Sequence, residues 1–339
     1  MAARTADMPL VVCLGEVLID FVSLRSGVDL AHAPGFQRAA GGAPANVAVG
    51  IARLGGRAGF VGKVGRDPFG EFLRATLRGF GVDVAGLVFE ESALTTLAFV
   101  SLTAGGERDF VFYRGADMLL RSDEVDGRVV SAAGLFHFGS VSLSREPCRS
   151  TTIAAAEAAR RAGCLVSFDI NLRPALWAGE AEARQVVADV LPMVDLAKMN
   201  DDELAAFAGG VPLPEACRRI RARGPRIVVV TLGRRGCFYQ RELDEGFVAG
   251  FRVRAIDTTG AGDAFMAAVL CGLARGGVGN VLDAGRDELR RVLRMANAAG
   301  ALATTRRGAI PALPTRRRLD QLLRSTTRSA IPPGRRARG

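Results

Sequence analysis

A chain of 339 residues with 49% hydrophobic content can bury a large core, and its size suits one α/β domain carrying insertions. No apolar run approaches the roughly 20 residues that span a bilayer, and the first ten residues lack a charged stretch followed by an apolar one; an unexported, cytoplasmic chain without membrane contact is expected. The net charge of +10 points toward nucleic acid until it is located: residues 316 to 339 hold eight Arg and one Asp, +7 of the total, so the near-neutral body needs no basic groove.

Six cysteines are scattered without CxxC pairing, in a chain too large to need disulfide staples, and read as buried free thiols. The only two histidines, His32 and His137, lie far apart, which argues against a His-rich metal site or a two-His mechanism. A general base is then expected to be a carboxylate.

In chain order, PLVVCLGEVLID at 9 to 20 reads as one buried central strand ending at Asp20. NVAVGIARLG at 46 to 55 has helical spacing and stops at glycine. GFVGKVG at 59 to 65 reads as a strand, and FGEFLRATLRGFG at 69 to 81 as a second amphipathic helix. Strands recur at CLVSFDIN (164 to 171), VDLAKMN (194 to 200) and RIVVVTLG (226 to 233), with helical stretches between them. That alternation predicts a Rossmann-like, mainly parallel sheet with helices on both faces. Two segments break it: about 21 to 40 and 95 to 118 show short strands with period-two patterning, as hairpins do, and predict a small β layer suited to a lid or an oligomer contact. Residues 320 to 339, rich in Arg, Pro and Gly, are expected to be a disordered extension of the 1–319 domain.

The densest chemistry lies in AIDTTGAGDAFMAAVLCGLA at 255 to 274. Gly260, Ala261 and Gly262 are small enough for backbone N–H groups to face one concavity at a helix N-terminus, an anion cradle. Asp263, in the first turn of that helix, is placed to take a proton from a hydroxyl while the amides hold a transferring phosphoryl group. An Asp that merely caps a helix after a glycine turn would look the same. In RAAGGAPANVAVG, Gly41 and Gly42 allow close approach of backbone to a ligand, and Asn46 offers both a donor and an acceptor to vicinal hydroxyls. Asp20 suits the same hydroxyls. Asn200 and Glu203 in KMNDDEL, three apart after a strand, can share one side of a first helical turn and hold hydrated magnesium, or simply form a solvated acidic helix start. Gly233 and Gly236 follow a strand where a nucleotide could lie against backbone. Arg114 and Arg173 are candidate substrate contacts.

GGAPAN with a following GKVGRDPFG, and DTTGAGDAF far downstream, together resemble the PfkB family of carbohydrate kinases, also called the ribokinase family. The resemblance runs from about residue 10 to 315. ERDFVFYRGADMLL, FHFGSVSLSREPCRST, FDINLRPALW and GFRVRAIDTTGAGDAF are similar to segments of its plant and bacterial fructokinases. It implies an α/β domain with a β-lid and transfer of the ATP γ-phosphate to a sugar hydroxymethyl, fructose above all. Residue by residue it implies Asp263 as base, Gly260, Ala261 and Gly262 as anion hole, and Asn200 and Glu203 as the NxxE element governing Mg²⁺ and phosphate. Asp20, Gly41, Gly42, Asn46, Arg114 and Arg173 become sugar contacts. Thr231, Gly233, Gly236 and Asn297 fall where relatives bind ATP, while Asp257, Thr259 and the backbone of 304 to 309 match a monovalent-cation site that would take K⁺. Ile170 stands where fructokinases commonly have Pro.

Three other readings stay open, the first a kinase of the same family for another sugar or a nucleoside. A 2-keto-3-deoxygluconate kinase would also use an aromatic and Arg pair like Tyr113 and Arg114, and needs a second cation for its substrate's carboxylate. A non-catalytic scaffold of the same fold could have lost Asp263 or a cradle glycine, and has lost neither. The partners expected are sugar and ATP, with no nucleic acid, and a homodimer through the lid.

Overall fold

The computed structural model describes residues 8–25, 27–102, 108–242, 244–276 and 285–328. Its chain order is β1 (Leu10–Leu14), β2 (Leu18–Ser23), β3 (Phe36–Gly41), α1 (Ala43–Arg53), β4 (Arg57–Gly65), α2 (Pro68–Gly79), β5 (Asp83–Glu90), β6 (Leu97–Leu102) and β7 (Arg108–Tyr113). There follow α3 (Gly127–Ser131), β8 (Leu135–Gly139), α4 (Cys148–Arg161), β9 (Leu165–Asp169), α5 (Glu180–Val190), β10 (Leu196–Asn200), α6 (Asp201–Ala208), α7 (Leu213–Arg221) and β11 (Ile227–Thr231). Strands β12 (Gly236–Arg241) and β13 (Glu245–Ala249) and helices α8 (Ala261–Gly276), α9 (Arg286–Ala303) and α10 (Arg316–Arg328) complete it.

Nine strands form the main sheet in the order β13-β12-β11-β10-β9-β8-β1-β4-β5, parallel from β11 to β5 with an antiparallel β12–β13 edge. The period-two geometry of strands divides the inner ones between two cores. Val11 and Cys13 of β1 join the core under α1, α8 and α9, while Val12 and Leu14 join the core on the opposite face under α4, α5 and α7. The chain leaves β1 for β4 on one side and returns to β8 on the other. This reversal makes a crevice at the strand C-termini, where open α/β sheets bind ligands.

A second sheet, β3-β2-β6-β7, stands apart from the first and realises the expected β layer. The 9-to-20 run is two strands rather than one. Gly15, at φ 149°, breaks it, and Glu16 and Val17 carry the chain into the other sheet, so Asp20 lies within the small sheet and not at the end of a central strand. The turn expected between β6 and β7 lies outside the described residues. The GKVGRDPFG stretch proves architectural. Asp67 caps α2 by accepting from the Phe69 and Gly70 amides at 2.9 and 2.8 Å, ahead of Pro68, and it also accepts from the Thr95 amide at 2.7 Å. Lys63, fully buried, pairs with Glu90 and Glu124 at 2.7 Å.

The expectation of disorder from residue 320 is corrected by α10. Leu319, Leu322 and Leu323 recur at helical spacing; Leu319 is fully buried and the other two pack against the core, so this amphipathic helix belongs to the fold. Residues 329–339 lie outside the described residues. Truncation after Leu319 is therefore expected to lower stability by about 2 kcal/mol through the lost Leu322 and Leu323 burial, read as a drop in Tm.

Candidate active site

Asp263 sits where the crevice meets the small sheet. It is only 7% exposed, in the first turn of α8, and its Oδ2 accepts from Asn46 Nδ2 at 2.8 Å. Burial holds its pKa above the ordinary carboxylate value, against the pull of Asn46, Lys198 and Arg173. The first amides of a helix have no intrahelical acceptor, and those at 262 and 263 belong to this turn. The Ala261 amide differs: it donates to Thr258 O at 3.3 Å.

Gly41 and Gly42 enter α1 through a close passage. A Cβ at Gly41 would lie 2.1 Å from Asp20 Oδ2, and one at Gly42, where φ is 105°, would lie 2.4 Å from Glu16 O. Only glycine lets β2, the Glu16 turn and the α1 N-terminus converge. Asn46 Oδ1, buried and without a hydrogen-bond partner, completes this corner.

Beneath Asp263 lies an ionic cluster that reading the sequence overlooked. Lys198 on β10, 5% exposed, donates to Asp169 Oδ1 and Oδ2 at 3.0 and 2.9 Å across adjacent strands. A Cβ on Gly262 would fall 3.0 Å from its Nζ, so the ammonium underlies the cradle. Burial opposes its charge, yet Asp169, Glu203 and Asp263 together hold it above its ordinary pKa. Burial carries Asp169 up to about 7 against the attraction of Lys198; the two-oxygen contact is that of an ion pair. His137 faces the same side, bonded to Ser167 at 3.1 Å; burial and then Lys198 hold it neutral, with a pKa near 3.

Glu16 was also missed. Its Oε1 accepts the Ala43 amide at 2.8 Å, its Oε2 is buried without a partner, and burial lifts its pKa to about 7. No motif surrounds it, and only the break at Gly15 could have drawn notice.

Asn200 and Glu203 form a reciprocal capping box on α6. Asn200 Oδ1 accepts the Glu203 amide at 2.7 Å, and Glu203 Oε2 accepts the Asn200 amide at 2.8 Å while its Oε1 accepts the Leu172 amide at 2.7 Å. Both oxygens of Glu203 thus have backbone donors. Among the described residues no three His, Cys, Asp or Glu side chains converge on a metal position.

Arg173 curls onto Asn171, whose Oδ1 accepts at 2.8 Å and whose φ of 36° is a left-handed conformation Asn tolerates; its charge reaches Asp263. Arg114 is spent elsewhere: Nη2 meets Asp117 Oδ2 at 2.6 Å and Nη1 donates to Ser144 Oγ at 3.2 Å.

Farther out, Thr231 ends β11 and Gly233 opens the turn after it, with free space around its Cα. Gly236 starts β12, where a Cβ would lie 2.2 Å from Val248 O. Asn297 of α9 donates to the carbonyls of Val248 and Ala249 at 2.9 and 3.2 Å, tying the helix to β13. Asp257 Oδ1 accepts from Thr259 N and Oγ1 at 2.9 and 2.6 Å, and its Oδ2 accepts the Gly308 amide at 2.9 Å. The 255–259 and 307–311 segments, α2 and the edge of the small sheet, including Gln37, Ala39 and Val100, line a cleft of about 740 Å³.

Residues 8–316 match the pattern of the pfkB family carbohydrate kinases. A probable fructokinase-4 of Arabidopsis thaliana is 47% identical over 329 residues, covering 96% of this chain and 99% of the plant protein. A fructokinase from Xylella fastidiosa, solved with bound ATP, superposes with a TM-score of 0.87 at 34% identity over 94% of this chain and 99% of its own. A fructokinase double mutant from Vibrio cholerae O395 in fructose, ADP and potassium ion bound form has a TM-score of 0.81 at 32% identity, over 93% of this chain and 98% of its own. The match spans nearly the whole described fold, from the first strand through the cradle to the start of α10, and the chain belongs to the pfkB family of carbohydrate kinases.

Proposed function

We propose that this chain transfers the γ-phosphoryl group of ATP to a sugar hydroxymethyl, converting fructose to fructose 6-phosphate. One observation carries the reading: a buried carboxylate, Asp263, stands in the first turn of α8 beside that helix's leading amides, with the Lys198 ammonium below them. As Asp263 takes the proton, the hydroxymethyl oxygen attacks the γ-phosphorus and the bond to the ADP oxygen breaks. The cradle of Gly260, Ala261, Gly262 and Asp263 backbone bears the charge on the transferring oxygens, and Ala261 acts mainly through its small size because its amide is already bonded. Asp20, the Gly41–Gly42 backbone and the open Oδ1 of Asn46 bind sugar hydroxyls, with Arg173 at the rim.

Thr231, Gly233 and Gly236 border the nucleotide, and Asn297 shapes that wall by fixing β13. Mg²⁺ supplies charge neutralisation of the phosphates; Asn200 and Glu203 suit it through water, since the Glu203 oxygens retain lone pairs beyond their amide bonds. K⁺ fits the Asp257, Thr259 and 304–309 loop, whose hydrogen bonds give it a fixed shape. Chelating Mg²⁺ is expected to abolish turnover, and replacing K⁺ by tetramethylammonium to lower kcat, both read in a coupled ADP assay.

The keto-acid alternative needs a free cation for the substrate carboxylate, and Arg114 is already neutralised by Asp117. A panel of fructose, ribose, 2-keto-3-deoxygluconate and adenosine with Mg-ATP tests the assignment. Fructose is expected to give the highest kcat/KM; preference for another acceptor overturns the substrate, and no ADP with any of them overturns the kinase reading. The lid's outer face, where Tyr113 is 63% exposed beside Phe36, Leu97, Phe99 and Val111, supports a homodimer through that face. Light scattering is expected to give twice the chain mass, and Tyr113→Glu to give the monomer.

A further inference from the structure

Helix α1 begins at the corner that carries Gly42 and Asn46, yet its own residues do not cap it. Gly42 at the N-cap has no side chain, no acidic residue occupies the first turn, and Pro44 has no N–H to satisfy. The Asn46 amide donates to Gly42 O at 2.8 Å. The Ala43 amide finds its acceptor 27 residues upstream, in Glu16 Oε1 at 2.8 Å. Glu16 sits in the turn between β1 and β2, so one side chain joins the passage between the two sheets to the start of α1. Backbone packing reinforces the contact. A Cβ at Gly42 would lie 2.4 Å from Glu16 O, and one at Gly15 would lie 2.6 Å from Pro44 Cγ, so turn and helix meet through two glycines.

A carboxylate is a costly way to fill this position. Glu16 is 4% exposed, its Oε2 has no hydrogen-bond partner, and burial lifts its pKa to about 7. An apolar side chain of the same length would pack there without that penalty. Packing therefore does not explain a carboxylate at this position, whereas the amide it caps does. We propose that Glu16 is a positioning residue for the sugar: by capping α1 from the turn between the sheets, it sets Gly42 and Asn46 against Asp20 on β2. The inference rests on reading this corner as the sugar site. Asn46 in turn donates to Asp263 at 2.8 Å, so the same cap supports the approach of the hydroxymethyl to the base.

Two variants of similar side-chain length test it. Glu16→Gln keeps an oxygen for the Ala43 amide, and Glu16→Met keeps the volume and removes the acceptor. Kinetics with Mg-ATP is expected to show the KM for fructose raised about tenfold or more in Glu16→Met and within about threefold of wild type in Glu16→Gln, with the KM for ATP unchanged in both. Equal fructose KM values in the two variants would overturn the proposal, and so would an equal rise in the KM for fructose and for ATP, the mark of general loosening. Should Glu16→Met not fold, Glu16→Gln decides alone, and a rise of about tenfold in its fructose KM overturns the proposal. Wild type is the control for the substrate: if it phosphorylates another acceptor and not fructose, the fructose assignment fails, and the same comparison made with that acceptor still judges Glu16. Amide hydrogen exchange at Ala43 needs no substrate at all. It is expected to be slow in wild type and Glu16→Gln and about tenfold or more faster in Glu16→Met; equal exchange in all three would overturn the cap itself.

Discussion

Asp263→Asn is expected to fold and bind ATP as the wild type does, yet to lose roughly 10²- to 10⁴-fold in kcat, the range that a positioned general base contributes. The amide keeps the size of the carboxylate and can still meet Asn46 after a flip, so the 2.8 Å contact to α1 need not be lost. What disappears is the proton acceptor. The pH profile carries the same claim. Catalysis needs the ionised form, so kcat/KM should fall as pH drops through the Asp263 pKa, and burial sets that limb above the ordinary carboxylate range. Circular dichroism and ATP binding separate this loss from misfolding; near-normal turnover by the variant would remove Asp263 from the mechanism.

Lys198→Met is expected to be the most damaging single change to the site's foundation. It leaves Asp169 buried without its cation, a loss in the range of about 3–5 kcal/mol for one partner of a buried pair. It also withdraws the charge that lowers Asp263, so the acid limb of kcat/KM should move to higher pH. Lys198→Met combined with Asp169→Asn separates the two effects. The double variant should recover much of the Tm, because no unpaired charge remains, while its acid limb stays shifted. Recovery of both would reduce Lys198 to a packing role.

What could be read before the fold was known, and what could not, follows from how far apart the interacting residues are. The DTTGAGDAF stretch gathers the proposed cradle and the proposed base into a few consecutive residues, so local spacing was enough to single them out. The alternation of apolar strands and amphipathic helices likewise foretold the sheet, and the two hairpins foretold the β layer. Asn200 and Glu203 were singled out by their three-residue spacing, which is also the spacing of a capping box, and the fold displays that box. Lys198 and Asp169 were hidden because 29 residues separate them and only the register of β9 against β10 brings them together. The 9-to-20 run read as one strand because its apolar residues are nearly continuous; Gly15 within it, at φ 149°, in fact divides two sheets. The arginines around Leu319, Leu322 and Leu323 masked a helical apolar stripe, because composition was weighed where periodicity should have been.

Arg114 illustrates a different limit. Its place in the lid segment suggested substrate, but Asp117 three residues later accepts its guanidinium, and Thr96 bonds the same carboxylate. That pair joins the end of β7 to the start of β6, so Arg114→Ala is expected to act first on stability, lowering Tm more than it raises the KM for sugar.

Simultaneous quantification of ADP and fructose 6-phosphate, from purified wild type and Asp263→Asn given fructose and Mg-ATP, tests the central claim most directly. The account predicts the two products in equal amounts from wild type and almost none of either from the variant. ADP without sugar phosphate, or equal sugar phosphate from both proteins, would contradict it.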